Sequence, residues 1–229
     1  MVQFNGNYTN IPIIILLFIA GCTQTKDFNY GLKQINDTNS KYSTTLETYP
    51  KTFNQINLML NDFKELKKLQ LRSGQEPFNY IIDYRILNLE AEKLYIEGLK
   101  YGNSGTTKEG FGCKSRPLII ESVSLRNSSA LKGFEAVDLL RQFINKYPKE
   151  AKSLGLSEKN TLFLNATFYQ ISRDAKKDSG VINNFCPMNA TLELYRQEFK
   201  KITNLSEEHI NNLEYDEAVS IWKKLRGIS

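Results

Sequence analysis

The sequence predicts an all-α protein, an up-and-down bundle of about five to six helices with coiled-coil-like heptad stripes. Apolar residues recur at alternating steps of three and four through most of the chain, which is the spacing of one helix face. The segment with the most strand-like composition, PLIIESVSL, has no partner strand elsewhere in the chain. A length of 229 residues with 41% hydrophobic and 24% charged content is ordinary for one globular domain, which we expect at 27–229.

A long apolar stripe runs from Phe28 to Phe63 over about five heptads. Pro50 interrupts it, because proline lacks the amide donor and clashes with the preceding turn. We expect two helices, at 27–48 and 51–71, or one helix that is kinked at the proline. The alternative is a flexible tether in place of the first helix, since the segment NDTNSKYSTT has low helix propensity.

A second stripe predicts the next helix, which a glycine-rich loop ends near Tyr101. Two of its positions, Ala91 and Gly98, are small enough for a neighbouring helix to approach closely. The stripe consists of Tyr80, Tyr84, Leu87, Ala91, Leu94, Gly98 and Tyr101.

Another long helix is expected at about 117–147, with Ser115 near its N-cap and Pro117 in its first turn. The NSS triplet at 127–129 is a candidate break in it. This interpretation is preferred to a strand because a lone strand would leave its backbone groups unpaired.

The following helix is predicted at 158–177, capped by Ser157 and stopped before Gly180. Its stretch LFLNATFYQI is apolar nearly all round, which predicts a position at the centre of the bundle. Two shorter amphipathic helices follow, and the second of them is expected to begin as early as Ser206. Their apolar positions are Leu192, Tyr195, Phe199 and Ile202, then Tyr215, Ala218, Trp222 and Leu225.

The N-terminal stretch IIILLFIAGCTQ ends an apolar run at a cysteine. From Ile11 to Ala20 the run has the length of a signal-peptide h-region and is too short to cross a hydrocarbon core of ~30 Å. The residues Ile19, Ala20, Gly21 and Cys22 resemble the lipobox of bacterial and archaeal prolipoproteins.

The resemblance implies that residues 1–21 are a signal peptide, cleaved between Gly21 and Cys22. Cys22 would then carry a diacylglyceryl group, and its two acyl chains would give stable anchoring. A membrane partner and a position on the extracytoplasmic face of the cell membrane follow, with 22–26 as anchor and short tether.

With Cys22 assigned to the lipid, Cys113 and Cys186 remain as an even pair in a compartment that permits disulfides. A bridge would close a loop of about 74 residues and stabilise the fold by roughly 4 kcal/mol. The alternative is two unpaired buried thiols. In an up-and-down order both cysteines precede helices that start at the same end, provided that the break at Pro50 is a kink and not a reversal.

Triplets of the N-x-S/T type are more frequent than the roughly three that chance would give at this composition. They indicate either N-glycosylation of an exported chain or an Asn- and Thr-rich polar surface. They begin at Asn7, Asn36, Asn127, Asn165, Asn189 and Asn204, of which the last five lie in the expected bundle.

The sequence contains no G-x-S-x-G motif, phosphate-binding glycine loop or Rossmann fingerprint. The single histidine, His209, is expected on a helix surface, and a nucleophilic dyad with Cys113 is the rival interpretation. Because no cysteine pair has zinc-finger spacing, we expect no metal and no other cofactor. Tyrosines such as Tyr84 and Tyr95 are candidates for a ligand groove between helices, with core packing as the alternative.

The segment GFEAVDLLRQFINKYPKE, at 133–150, resembles the second helix of a tetratricopeptide repeat of the kind found in envelope-assembly lipoproteins. Ala136, Phe143 and Pro148 match its A…F…P pattern, although the fixed repeat period is absent.

The net charge of +5 is spread along the chain and indicates solvated helix faces, or attraction to an anionic membrane, and not nucleic-acid binding. The sequence thus predicts a non-enzymatic envelope lipoprotein with a protein partner, acting in binding, scaffolding or assembly. The alternative is a sensor or solute-binding module with a pocket between helices.

Overall fold

The computed structural model describes residues 26–107 and 110–228, and in this part of the chain the protein is all-α, as predicted. The predicted signal peptide, the cleavage site Gly21-Cys22, the lipidated Cys22 and the sequon at Asn7 lie outside the described residues. The described helices are α1 Phe28–Lys41, α2 Phe53–Leu66, α3 Gln75–Gly105, α4 Arg116–Lys146, α5 Pro148–Ser153, α6 Glu158–Phe185, α7 Met188–Ile202, α8 Glu207–Asn212 and α9 Tyr215–Leu225. A short antiparallel hairpin, β1 Thr106–Thr107 with β2 Gly110–Phe111, follows α3, and a 3-10 turn at Cys113–Ser115 leads into α4.

Helices α1 and α2 form an antiparallel pair. At one end Lys41 Nζ lies 2.7 Å from Asp62 Oδ2, and at the other the amide of Arg72 donates to the carbonyl oxygen of Lys26 at 2.6 Å. Ile35 of α1 is fully buried. The first helix is therefore packed against the domain, and the interpretation of this segment as a flexible tether is wrong.

The segment 42–52, which we call the reversal loop, joins α1 to α2 and contains Pro50. The predicted helices at 27–48 and 51–71 are therefore too long, and a single kinked helix is wrong. Within the loop Ser43 has a φ of 54°, a left-handed conformation that no α-helix accommodates. The heptad spacing continues through the loop although the helix does not.

Helices α3 and α4 pack antiparallel along most of their length. The hydroxyl of Ser129 donates to the carbonyl oxygen of Ala91 at 2.7 Å, and a Cβ on Gly98 would press against the backbone of Ser122. The predicted close approach at Ala91 and Gly98 is confirmed. The NSS triplet does not break α4, because its last residue faces α3 while its first two are exposed.

Helix α6 in turn runs antiparallel to α4. Arg126 Nη2 lies 2.6 Å from Asp178 Oδ2, and further along a Cβ on Gly133 would overlap the ring of Phe168. The order α3, α4, α6 therefore brings three long helices side by side with alternating direction.

Two expectations about α6 are wrong. The helix continues through Gly180 to Phe185, because a single helical glycine costs only about 1 kcal/mol relative to alanine. It also lies at the surface and not at the centre, since Leu162, Phe163 and Tyr169 are 62%, 72% and 64% exposed. Only one face of α6 is buried, at positions that step by threes and fours along the helix.

The predicted disulfide between Cys113 and Cys186 is confirmed, with the two Cα atoms 5.1 Å apart. It forms although the chain reverses at Pro50, because only the helices between the cysteines decide whether they meet. The antiparallel α6 returns the chain to the start of α4, so helices before Cys113 have no influence on the pairing.

The two predicted C-terminal amphipathic helices are α7 and α9, with the one-turn α8 between them. They pack on the start of α4 through a small aromatic cluster that is separate from the main core. The ring of Tyr195 lies 6.0 Å from that of Phe199 and 5.7 Å from that of Trp222, measured between centroids.

Candidate functional site

An open groove of about 440 Å³ lies where α3, α4, α6 and the reversal loop meet. Its volume is within the range of small-molecule sites in proteins. Four aromatic side chains line it, namely Tyr49, Tyr95, Phe163 and Phe168. Phe168 is nearly fully buried and forms the floor, whereas Phe163 is 72% exposed at the rim.

Helix α6 provides one wall because its groove-lining residues share a helix face. These residues are spaced by threes and fours and lie on the helix face adjacent to the buried stripe; they are Phe163, Ala166, Thr167, Gln170 and Asp174. Neither α4 nor another described helix covers this face.

Tyr49 reaches the groove from the reversal loop and is held in a fixed position. Its hydroxyl donates to Asn88 Oδ1 at 2.7 Å. Burial and the nearby Glu92 carboxylate raise the pKa of Tyr49, so the hydroxyl stays protonated and remains a donor.

Arg85 anchors the same loop from behind. Its guanidinium donates to the carbonyl oxygens of Leu46 at 3.0 Å and Thr48 at 2.6 Å, and it lies 5.8 Å from the centroid of the Tyr49 ring. The side chain is fully buried, and burial lowers the pKa of the guanidinium to about 10, which leaves it charged at neutral pH. Burying a cation is costly unless it is hydrogen-bonded, and here the two loop carbonyls offset that cost, so the buried Arg85 stabilises the loop in one conformation.

Tyr84 and Tyr95 were the predicted groove candidates, and the structure places them differently. Tyr95 lines the groove. Tyr84 is fully buried behind it, where Asn88 Nδ2 donates to its hydroxyl at 3.4 Å, and burial raises the pKa of Tyr84 to about 12. Tyr84 therefore does not line the groove and is linked to it through Asn88, which also accepts the hydrogen bond from the Tyr49 hydroxyl.

Glu92 is a half-buried acidic residue of the groove lining, and sequence reasoning missed it. Burial raises the pKa of Glu92 to about 6. In the described part of the chain no basic side chain forms an ion pair with it. Glu90, two residues earlier, differs: burial would raise its pKa, but Lys132 at 2.8 Å and Lys64 at 3.3 Å outweigh burial and lower it.

The other charged groups at the groove are already engaged. Arg126 pairs with Asp178 and also donates from Nε to the carbonyl oxygen of Ser122 at 3.4 Å. Asp174 accepts a hydrogen bond from the amide of Gln170 at 2.8 Å. Glu92 is thus the groove residue whose charge has the least compensation within the described chain.

The remaining sequence-predicted sites are distributed over the surface. His209 is half exposed, with Nε2 3.6 Å from a carboxylate oxygen of Glu217. Cys113 is bonded to Cys186, so the alternative of a nucleophilic Cys113–His209 dyad is wrong. All five described sequon asparagines are exposed, namely Asn36, Asn127, Asn165, Asn189 and Asn204. Within 26–107 and 110–228, His, Cys, Asp and Glu side chains form no group of three that could hold a metal ion.

No protein-family model, curated protein or solved structure matches this chain. None of the described helices combines the length and the apolar composition needed to span a bilayer. Function is therefore inferred from the geometry of the chain itself.

Proposed function

We propose that this protein is a lipid-anchored, extracytoplasmic binding protein that captures a small ligand in the groove between α3, α4 and α6. One observation carries the proposal: a preformed groove of about 440 Å³ has aromatic walls and a half-buried carboxylate that has no ion-pair partner in the described chain. The proposed role is non-enzymatic, and it is supported by hydrogen bonds that tie the Tyr49 hydroxyl to Asn88 and the Asp174 carboxylate to Gln170 among the described residues of the groove. The helical domain would act as the rigid up-and-down bundle that holds the groove open.

The proposed location is supported by three independent features. The lipobox-like residues ending at Cys22 provide an anchor, and the Cys113–Cys186 disulfide fits an oxidising compartment. The exposed sequons fit an exported chain. Helix α1 begins at Phe28, a few residues after the anchor, so the bundle would stand close to the membrane.

A role as a scaffolding or envelope-assembly subunit is the second candidate. It is favoured by the exposed apolar side chains of α6, Leu162 and Tyr169, and by Leu131 of α4, which is 64% exposed. Solvent-exposed apolar side chains of this size are typical of protein contact surfaces when they form a contiguous patch. An N-glycan on Asn165, which lies between Leu162 and Tyr169 on the same helix face, would oppose protein docking there.

The test of ligand binding uses a groove-filling variant with a matched control. Ala166 and Ala190 are both exposed and both lie within an N-A-T triplet, but only Ala166 lines the groove. A panel of small neutral, cationic and anionic compounds would be screened by ligand-observed NMR against the full chain in a non-ionic detergent. We expect hits that are lost in Ala166→Trp and retained in Ala190→Trp.

Absence of any hit that Ala166→Trp abolishes would overturn the ligand-binding proposal. Mass spectrometry of the membrane-extracted protein tests the anchor separately, since an intact Met1 N-terminus would contradict lipidation at Cys22.

A further inference from the structure

The groove has an acidic and aromatic character that points to one class of ligand. Its lining contains two carboxylates, Glu92 and Asp174, and one basic group, Arg126. The guanidinium of Arg126 is already neutralised by Asp178 at 2.6 Å. The charge offered to a ligand is therefore negative.

Glu92 and Glu90 lie two residues apart on α3, and the comparison between them shows that α3 does not lack basic neighbours. Lys64 and Lys132 both reach Glu90 and leave Glu92 without a cation in the described chain. A half-buried carboxylate without a counter-ion lowers stability, so a fold tolerates one where a ligand supplies the missing charge.

Aromatic rings share the groove with this carboxylate. Tyr49, Tyr95 and Phe163 line the same groove, and Phe163 presents its ring to solvent at the rim. The faces of aromatic rings carry partial negative charge and attract cations, most strongly where water is excluded. Rings and carboxylate thus favour the same kind of ligand, one with a positive and partly apolar head.

We propose that the groove binds a small organic cation, an amine or quaternary ammonium compound, with Glu92 as its counter-ion and the rings of Tyr49, Tyr95 and Phe163 around the charged group. This inference rests on the proposed ligand-binding function and specifies its ligand class. Asp174 is a second carboxylate of the groove lining, but Arg173 Nε lies 3.9 Å from its Oδ1, so Glu92 is the principal counter-ion.

The test compares three probes of one shape that differ in charge. Choline is the cation. Its neutral isostere is 3,3-dimethylbutan-1-ol, in which carbon replaces the ammonium nitrogen, and the anion is the corresponding carboxylate, 3,3-dimethylbutanoate. Each is titrated into the full chain in non-ionic detergent at pH 8, with empty micelles as the blank. We expect choline to bind about tenfold more tightly than the neutral alcohol, and the anion to bind more weakly than both.

Variants then identify the counter-ion. Glu92→Gln should lower choline affinity by about tenfold and leave the affinity of the alcohol unchanged. Glu193→Gln, which removes the same charge from an exposed position on α7 outside the groove, should change neither.

The outcomes separate this inference from the function on which it rests. Equal binding of choline and the alcohol, tighter binding of the anion, or an unchanged preference for choline in Glu92→Gln would each overturn the cation site. If other compounds still bind in a manner blocked by Ala166→Trp, the ligand-binding function stands. If no compound of either panel binds, both fail together.

Discussion

Replacing Glu92 with glutamine should make the ligand-free protein more stable at pH 8 and leave its stability unchanged at pH 4. The glutamine keeps the shape of the protonated carboxyl group and removes the charge that burial disfavours. A functional carboxylate often lowers stability in this way, and its removal then stabilises the fold.

The magnitude follows from the pKa of Glu92, which burial raises from an ordinary 4.5 to about 6. The folded state holds the proton more tightly than the unfolded state, so stability falls as pH rises from 4.5 through 6. The full loss is about 2 kcal/mol and is present at pH 8. For a chain of this size it corresponds to a melting temperature higher by roughly 4–8 °C in the variant.

Urea denaturation followed by far-UV circular dichroism at pH 4, 6 and 8 would measure the effect with the disulfide intact. The matched control is Glu193→Gln, an exposed carboxylate on α7 whose replacement should change stability by less than about 0.5 kcal/mol. Equal stability of wild type and Glu92→Gln at pH 8 would refute the reasoning. A gap of the same size at pH 4 would also refute it, because the cause would then be packing and not charge.

Three further predictions concern the framework of the groove. Arg85→Met should lower stability by about 3 kcal/mol, because two loop carbonyls lose a charged donor, and hydrogen exchange should quicken in the reversal loop; unchanged exchange there would contradict the anchoring role. Gly133→Ala should cost about 2 kcal/mol by overpacking against the aromatic ring of α6, whereas Gly180→Ala, with open space around it, should gain up to about 1 kcal/mol, and calorimetry that ranks them oppositely would disprove the packing. The double replacement of Cys113 and Cys186 by serine should cost about 4 kcal/mol, measured by urea denaturation, and a loss below about 1 kcal/mol would show that the bridge constrains the unfolded chain little.

Helices α3 and α4 were predictable because their signal is long. Their stripes persist over many turns, so errors at single positions do not change the outcome, and each end predicted for these two helices lies within about four residues of the observed one. The disulfide was predictable because it depends only on which helices lie between the two cysteines.

The position of α6 was not predictable from its composition. Its apolar residues occupy every side of the helix, and only one side meets α4, so Phe163 and Tyr169 remain exposed. The local sequence shows how apolar a helix face is, but it does not show whether another helix packs against that face. The same limit hid Glu92, whose burial is created by neighbours that are distant in sequence.

The reversal loop connects the wrong prediction to the site. The heptad spacing between α1 and α2 continues because Leu46 and Tyr49 do face the interior, but they do so from a loop that Arg85 holds by its carbonyls. The loop then places the Tyr49 ring in the groove lining. The buried cation that fixes the loop and the half-buried carboxylate of Glu92 thus serve one surface. Arg85 is stabilised by the carbonyls it holds, but packing alone would have favoured a neutral residue in place of Glu92, and its retention beside a loop fixed in this way argues that this surface is where the protein binds.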